Sequence, residues 1–194
     1  MPLVLASSSA IRRQMLDAAG VAHHVVPADV DEAAIKAGHD GSPDHLAIRL
    51  ASAKALGVSV GRPGDWVIGS DSLVRVNGRD FDKPQDRAEA AAHLRLFSGQ
   101  SMILTSAVAL ARGDRVEWSY AETATLHVRA LSDMFIESYL DSEWPEVGYC
   151  VGVFRMEGPG VNLFDRIDGN HFTILGMPLL PLLGALRARG LVAS

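Results

Sequence analysis

A pair of hairpin signals in the middle of the chain, Asn77-Gly78 and Gly113-Asp114, restricts its architecture more than any other feature. An Asn-Gly pair supplies the two positive φ values of a type I′ turn, so the strands it joins must run antiparallel. Before the first turn, Trp66 to Ser70 reads as an apolar strand ending at Asp71, with Leu73, Val74 and Val76 continuing extended; Phe81, Asp82, Lys83 and Pro84 form its return. Ile103 to Ala111 and Val116 to Val128 flank the second turn. Met1 to Ala6 and Val21 to Val26 read as further strands. Helical spacing covers Ala10 to Ala19, Asp44 (as cap) to Leu56, Asp86 to Phe97, Ser132 to Leu140, and Pro178 to Arg189. Ser98-Gly99 stops the third of these and Pro178 starts the last. Hairpins interleaved with helices exclude a strict βαβ array and predict an α/β or α+β fold with a mixed sheet. Pro27 to Asp44 and Gly57 to Asp65 read as connections, and Gly148 to Gly160 as a glycine-punctuated loop.

At 194 residues the chain suits one domain or two closely joined lobes. Its 48 % hydrophobic and 21 % charged composition is that of an ordinary soluble protein. Glycine and proline interrupt the longest apolar stretches, such as Val147 to Phe154 and Ile174 to Leu186, so no membrane association is expected. The N-terminus reads as a strand rather than a signal segment, and a cytoplasmic location is the expectation. Cys150 is the single cysteine, which excludes an internal disulfide and any zinc site built on several cysteines; it reads as a small buried residue. His23 and His24 lack partners at metal-ligand spacing and read as structural or surface residues. A net charge of −5 argues against a nucleic-acid polymer as partner, while local basic clusters still suit a single nucleotide.

The run Leu5-Ala-Ser-Ser-Ser-Ala-Ile-Arg-Arg13 provides such a cluster. With Ser8 or Ser9 as N-cap, Arg12 and Arg13 occupy the first helical turn, where unpaired N–H groups and the helix dipole disfavour cations. An anion held among Ser7, Ser9, Arg12 and Arg13 resolves that conflict, as at other phosphate-binding helix starts. The alternative reading is two solvated surface arginines. No Walker A loop is present.

Asp71 is the strongest single catalytic candidate, since a carboxylate at the end of a buried strand is rigidly placed for a base or a metal ligand. As a bland alternative it caps a turn. Gly69 allows close backbone approach by a ligand. Lys83, stiffened by Pro84, is expected to fold back beside Asp71. Lys54 lies on a helix whose buried face is set by Leu46, Leu50 and Ala53, and Arg49 reads equally well as surface. Glu32, beside Asp31 in a polar loop, joins Asp71 as a hard-oxygen pair for magnesium or manganese. An anion cradle, extra cations and metal carboxylates together are the parts of phosphoryl or nucleotidyl transfer.

The same residues carry a resemblance. Leu5 to Arg13, Val30-Asp31-Glu32, Arg49-Leu50-Ala51 with Lys54-Ala55, Ile68-Gly69-Ser70-Asp71, Lys83-Pro84 and Leu96-Phe97-Ser98-Gly99 resemble the Maf family of nucleoside triphosphate pyrophosphatases. Gly152 to Gly158, Leu163 to Gly169 and Gly176-Met177-Pro178-Leu179 extend the likeness over nearly the whole chain. The resemblance implies a two-lobed α/β fold similar to the inosine triphosphatases, with a curved mixed sheet, flanking helices and a central cleft, often dimeric, so a homodimer is an expectation. It implies cleavage of a nucleoside triphosphate to a monophosphate and pyrophosphate, with a divalent cation (Mg2+ or Mn2+), as house-cleaning of noncanonical nucleotides. Asp71 matches the proton acceptor and Glu32 helps hold the metal. Arg12, Arg13, Lys54 and Lys83 neutralise the triphosphate.

Glu157 stands where the 7-methyl-GTP branch has glutamate and the dTTP/UTP branch glutamine. A carboxylate accepts from guanine N1–H and its amine, whereas it repels the acceptors of uracil. Ile11 replaces the tryptophan of the methyl-GTP branch, Ser72 replaces its glutamine and is nearer the threonine of the other branch, and Ala10 replaces the usual proline. The leading expectation is a 7-methyl-GTP-like substrate. Alternatives are a dTTP/UTP pyrophosphatase, a phosphatase of small esters, and a non-catalytic nucleotide-binding regulator of septum formation and cell division.

Overall fold

The computed structural model describes residues 2–193, so the Met1 end of the first expected strand lies outside the described residues. In chain order the elements are β1 (Leu3–Leu5), α1 (Ala10–Ala18), β2 (His24–Val25), α2 (Glu32–Ala37), α3 (Pro43–Ser59), β3 (Trp66–Val76), β4 (Arg79–Phe81) and α4 (Arg87–Phe97). They continue with β5 (Ser101–Arg112), β6 (Arg115–Val128), α5 (Asp133–Glu143), β7 (Phe164–Asp168), α6 (His171–Ile174) and α7 (Leu179–Arg187); two short 3-10 turns separate α5 from β7. Among the described residues seven strands form one mixed sheet in the order β2-β1-β3-β5-β6-β7, with β4 on β3. β1 pairs in parallel with both β2 and β3, whereas β3 with β4, and β6 with β7, are antiparallel. This is the mixed sheet flanked by helices that the hairpins require. No helix among the described residues is long and apolar enough to cross a membrane.

The chain divides into two compact units, the first comprising residues 1–72, 105–122 and 170–194, the second residues 73–104 and 123–169. In the first, Leu3, Leu5, Ile68, Val108 and Leu110 from the strands bury against Met15 and Leu16 of α1 and Leu179, Leu182 and Leu186 of α7. Each fully buried leucine contributes about 1.5–3 kcal/mol. In the second, Phe81 stands edge-on to Phe97 at 4.8 Å and to His93 at 5.1 Å. Arg87 and Arg95 of α4 tie down to Glu137, Asp133 and Asp141 of α5.

Local signals explain most boundaries. Asn77 (φ 50°) and Gly78 (φ 77°) adopt the positive pair expected of them. Asp86 caps α4 by accepting from the Glu89 N–H, and Ser132 caps α5 by accepting from that of Phe135. Several expectations are corrected. Ser42, not Asp44, caps α3, with Pro43 as its first residue, and the helix runs on through Gly57 to Ser59. The Pro27 to Asp44 connection contains α2, whose N-cap Asp31 accepts from the Ala34 N–H; six residues with none buried leave no apolar period to read. β7 is likewise masked, because as the end strand of the sheet it carries Asp165, Arg166 and Asp168, the charges that protect an edge. β2 contracts to two residues and β4 ends at Phe81, leaving Lys83 and Pro84 beyond the strand.

Candidate active site

Asp71 does not terminate its strand; it lies inside β3 and is 6 % exposed. A polar triplet, Ser70-Asp71-Ser72, survives within a buried strand because each side chain is hydrogen-bonded, which removes the penalty for burying it. Alternation along the strand sends Gly69 and Asp71 to one face and the two serines to the other. On the first face α3 packs against Gly69. A Cβ there would stand 2.6 Å from Ala55 N and closer still to the Ala51 carbonyl oxygen. The close approach read at Gly69 is therefore made by helix backbone and not by a ligand. It brings Lys54, the residue before Ala55, to Asp71: Lys54 Nζ donates to Asp71 Oδ1 at 2.5 Å. The same ammonium lies 2.8 Å from Glu32 Oε1 at the start of α2. The Lys54 side chain is 15 % exposed, that of Asp71 9 % and that of Glu32 42 %, so the group is open on the Glu32 side. Three residues spread over forty positions thus share one ionic cluster.

On the opposite face of β3 stands Arg12. Its Nε donates to the Gly176 carbonyl at 2.9 Å, one Nη to the Ser70 carbonyl at 3.0 Å and the other Nη to Ser72 Oγ at 3.0 Å. A longer bond reaches Ser7 Oγ at 3.4 Å. Ser70 Oγ donates to the Ala107 carbonyl at 2.8 Å, and Ser72 Oγ is bonded to Ser106 Oγ at 2.9 Å and to the Gly176 carbonyl at 3.2 Å. Arg12 therefore directs these hydrogen bonds into the protein, which the sequence did not foretell.

Arg13 differs: it is exposed, and its side chain makes no hydrogen bond or ion pair among the described residues, only its backbone N–H donating to the Ser9 carbonyl at 3.3 Å. Ser9 occupies the N-cap position of α1 with no side-chain cap bond, and its N–H donates to Ser7 Oγ at 3.2 Å. No acidic residue enters the first turn, so the positive end of α1 meets no carboxylate of its own. Ile11 is half-buried on the same helix.

Lys83 and Glu157 belong to the second unit. Glu157 Oε1 lies 3.7 Å from Arg155 Nε, which is 3.7 Å from Glu143 Oε2; Arg155 also lies 4.0 Å from Glu146. Cys150 is partly buried rather than buried, and burial first, then the Glu157 carboxylate, pushes its thiol up to about 11 while Lys83 opposes the shift. It is no thiolate near neutral pH. Arg49 lies exposed, donating to the Gly38 carbonyl, and His23 Nδ1 pairs with the Val21 carbonyl.

The donor set suits a hard dication. Glu32 and Asp71 are already aimed at one cation, the Lys54 ammonium, and magnesium or manganese needs only one or two carboxylates, with water and phosphate oxygens completing the shell. No group of three or more His, Cys, Asp or Glu that could hold a metal occurs among the described residues, so an all-protein cage is absent there. Sequence reasoning missed Gly176, Glu143 and Arg155 as contributors; the positive φ of Gly176 (102°) was signalled only by its being glycine before Met-Pro.

The Maf-like protein family profile matches residues 2–189. A nucleoside triphosphate pyrophosphatase of Nitrobacter hamburgensis is 44 % identical over 193 residues, covering 99 % of this chain and 96 % of that protein. A 7-methyl-GTP pyrophosphatase of Rhizobium etli is 43 % identical, covering 98 % of this chain and 97 % of that protein. Among solved structures the Staphylococcus aureus Ham1 protein is similar at a TM-score of 0.45 and 17 % identity, covering 66 % of this chain and 72 % of that one.

Proposed function

The chain belongs to the Maf-like protein family, and from that premise we propose that it is an enzyme hydrolysing a nucleoside triphosphate to the monophosphate and pyrophosphate. The observation that carries the reading is the convergence of Glu32, Lys54 and Asp71 on one point. Binding alone requires neither a rigid carboxylate nor a second one beside it; hydrolysis of an anhydride requires both a base for water and charge to spread over the phosphates.

In this mechanism Asp71, fixed on β3, accepts a proton from the water that attacks the α-phosphorus. Glu32 and Asp71 would hold Mg2+ or Mn2+, which when bound supplies charge neutralisation of the polyphosphate and a less basic leaving group. Lys54 moves its hydrogen bonds from the carboxylates to phosphate oxygens. Arg13, unpaired and beside the open helix start, binds the polyphosphate; Ser7, Ser9 and the charge of Arg12 complete that cradle. Lys83 contributes a further cation. Glu157 selects the base: its carboxylate accepts from N1–H and the exocyclic amine of a guanine, which favours a 7-methyl-GTP-like substrate over UTP or dTTP. The Rhizobium etli relative's name supports that preference.

The experiment is incubation of the protein with magnesium and a panel of canonical and modified triphosphates, followed by identification of the phosphate released. Pyrophosphate is expected, and Asp71→Asn should lower its release about 10³-fold, the span of a lost general base. Orthophosphate would signal a phosphatase instead, and no release at all would leave a nucleotide-binding regulator. Full turnover by Asp71→Asn would remove Asp71 from its role.

A further inference from the structure

We propose that Arg12 is a positioning residue for Asp71, gripping the strand on both sides of the base from the face opposite Lys54. The inference rests on the reading of Asp71 as the base. Arg12 bonds the carbonyl of Ser70 and the hydroxyl of Ser72, the two residues that flank Asp71, and through Nε it bonds the Gly176 carbonyl. That carbonyl lies within hydrogen-bond distance of three donors: Arg12 Nε at 2.9 Å, Ser70 Oγ at 3.1 Å and Ser72 Oγ at 3.2 Å. Ser106 Oγ anchors the far side by donating to the Thr173 carbonyl at 2.8 Å.

Proton counting shows how tightly this is closed. Each serine has one hydroxyl proton. Ser70 spends its proton on the Ala107 or the Gly176 carbonyl, Ser106 on that of Thr173, and Ser72 on Gly176 or Ser106, while Ser72 accepts from Arg12. Every hydroxyl has an acceptor within reach. The geometry needs a planar fork: Nε and the two Nη atoms address a glycine carbonyl, a strand carbonyl and a hydroxyl in different directions, which the single ammonium of lysine cannot do. Gly176 is required in turn, because at φ 102° a side chain is strained and its Cβ would meet Ser72 Oγ at 3.3 Å.

Asp71 is thereby held from two sides. Before substrate binds Lys54 fixes its carboxylate, and the Arg12–Gly176 clamp fixes the strand beneath it throughout. Loss of the clamp lets the base drift without removing a charge from the substrate. A displacement of about 1 Å costs about 100-fold in turnover.

The test compares Arg12→Lys, which keeps the charge but loses the fork, with Gly176→Ala, which disturbs the clamp without touching any charge. Steady-state kinetics with magnesium and the preferred triphosphate are read alongside hydrogen exchange of the Ser70–Ser72 amides in nucleotide-free protein. Both variants should lose about 100-fold in kcat with KM changed less than about threefold, and both should exchange faster at Ser70–Ser72. A rise in KM of about tenfold or more in Arg12→Lys, with kcat and exchange retained, would make Arg12 a phosphate ligand and overturn the clamp. Wild-type kinetics in Arg12→Lys would also overturn it. Asp71→Asn is assayed in parallel: its full activity would sink the base assignment itself, whereas an inactive Asp71→Asn beside an Arg12→Lys that loses only affinity would sink the clamp alone.

Discussion

Two ionic clusters, one in each unit, are built to different tolerances. In the first unit Lys54 sits 2.5 Å from Asp71 and 2.8 Å from Glu32. In the second Arg155 stands 3.7 Å from both Glu143 and Glu157 and 4.0 Å from Glu146, and both Arg155 Nε and Glu143 Oε2 are buried without a hydrogen-bond partner. The supports differ in the same sense. Asp71 and Lys54 ride on a long strand and a long helix whose backbones meet at Gly69, while Glu157 and Arg155 lie in the glycine-punctuated segment between two 3-10 turns. Regular elements pressed together hold an atom where chemistry needs it. The irregular segment leaves Arg155 Nε without a hydrogen bond and Glu157 exposed beside it. A buried group left without its bond costs about 1–3 kcal/mol.

The hardest blow to the first cluster leaves every charge in place. Gly69→Ala should force α3 off β3, destabilising the protein by about 1–3 kcal/mol as an overpacked core does and separating Lys54 from Asp71. A urea midpoint lowered accordingly, with pyrophosphate release down about 100-fold, is the expected outcome; unchanged turnover would show that the close packing at Gly69 is not what places the base. Glu157→Gln probes the looser cluster. It should leave stability within about 0.5 kcal/mol, as surface changes do, while shifting the kcat/KM ratio of 7-methyl-GTP to UTP about tenfold or more towards UTP. An unmoved ratio would strip Glu157 of base selection.

The smallest effect is a pH control in the second unit alone. Burial of His93 beside Phe81 and Phe97 lowers its pKa from 6.5, against the raising influence of Glu89. The unfolded chain then binds a proton more readily than the native one, so this residue's share of stability is intact above pH 6.5 and is lost as the pH falls from there towards the lower native value. Thermal melts between pH 7.5 and 5 should show a shallower slope for His93→Leu than for the unaltered chain. An identical slope would place the pH sensitivity elsewhere.

Residues that act through local backbone chemistry were legible one by one. Asn77-Gly78 announced its hairpin, Ser98-Gly99 its helix stop, and Leu46 and Leu50 part of the buried face of α3; Ala53, expected on that face, is only partly buried, and Ala47, Ala51 and Ala55 are buried in its stead. Elements without a local signature were not. α2 buries nothing, and β7 wears the charges of an edge strand. At the site, Asp71, Lys54 and Glu32 could each be named from residue type and resemblance, yet nothing in their spacing says that one ammonium serves both carboxylates. Arg12 and Arg13 are adjacent and chemically identical in the sequence. Helical geometry turns one towards β3 and Gly176 and the other to solvent.

The amino-acid order by itself therefore determined those elements, turns and caps that carry a local signature, and the roster of charged groups, because dihedral preference and apolar period are properties of neighbours along the chain. Tertiary structure alone decided which charge meets which. The contact of α3 with Gly69, and the three donors gathered at the Gly176 carbonyl, join residues that only packing brings within hydrogen-bond reach, and a hydrogen bond depends on distance in space rather than on separation in sequence.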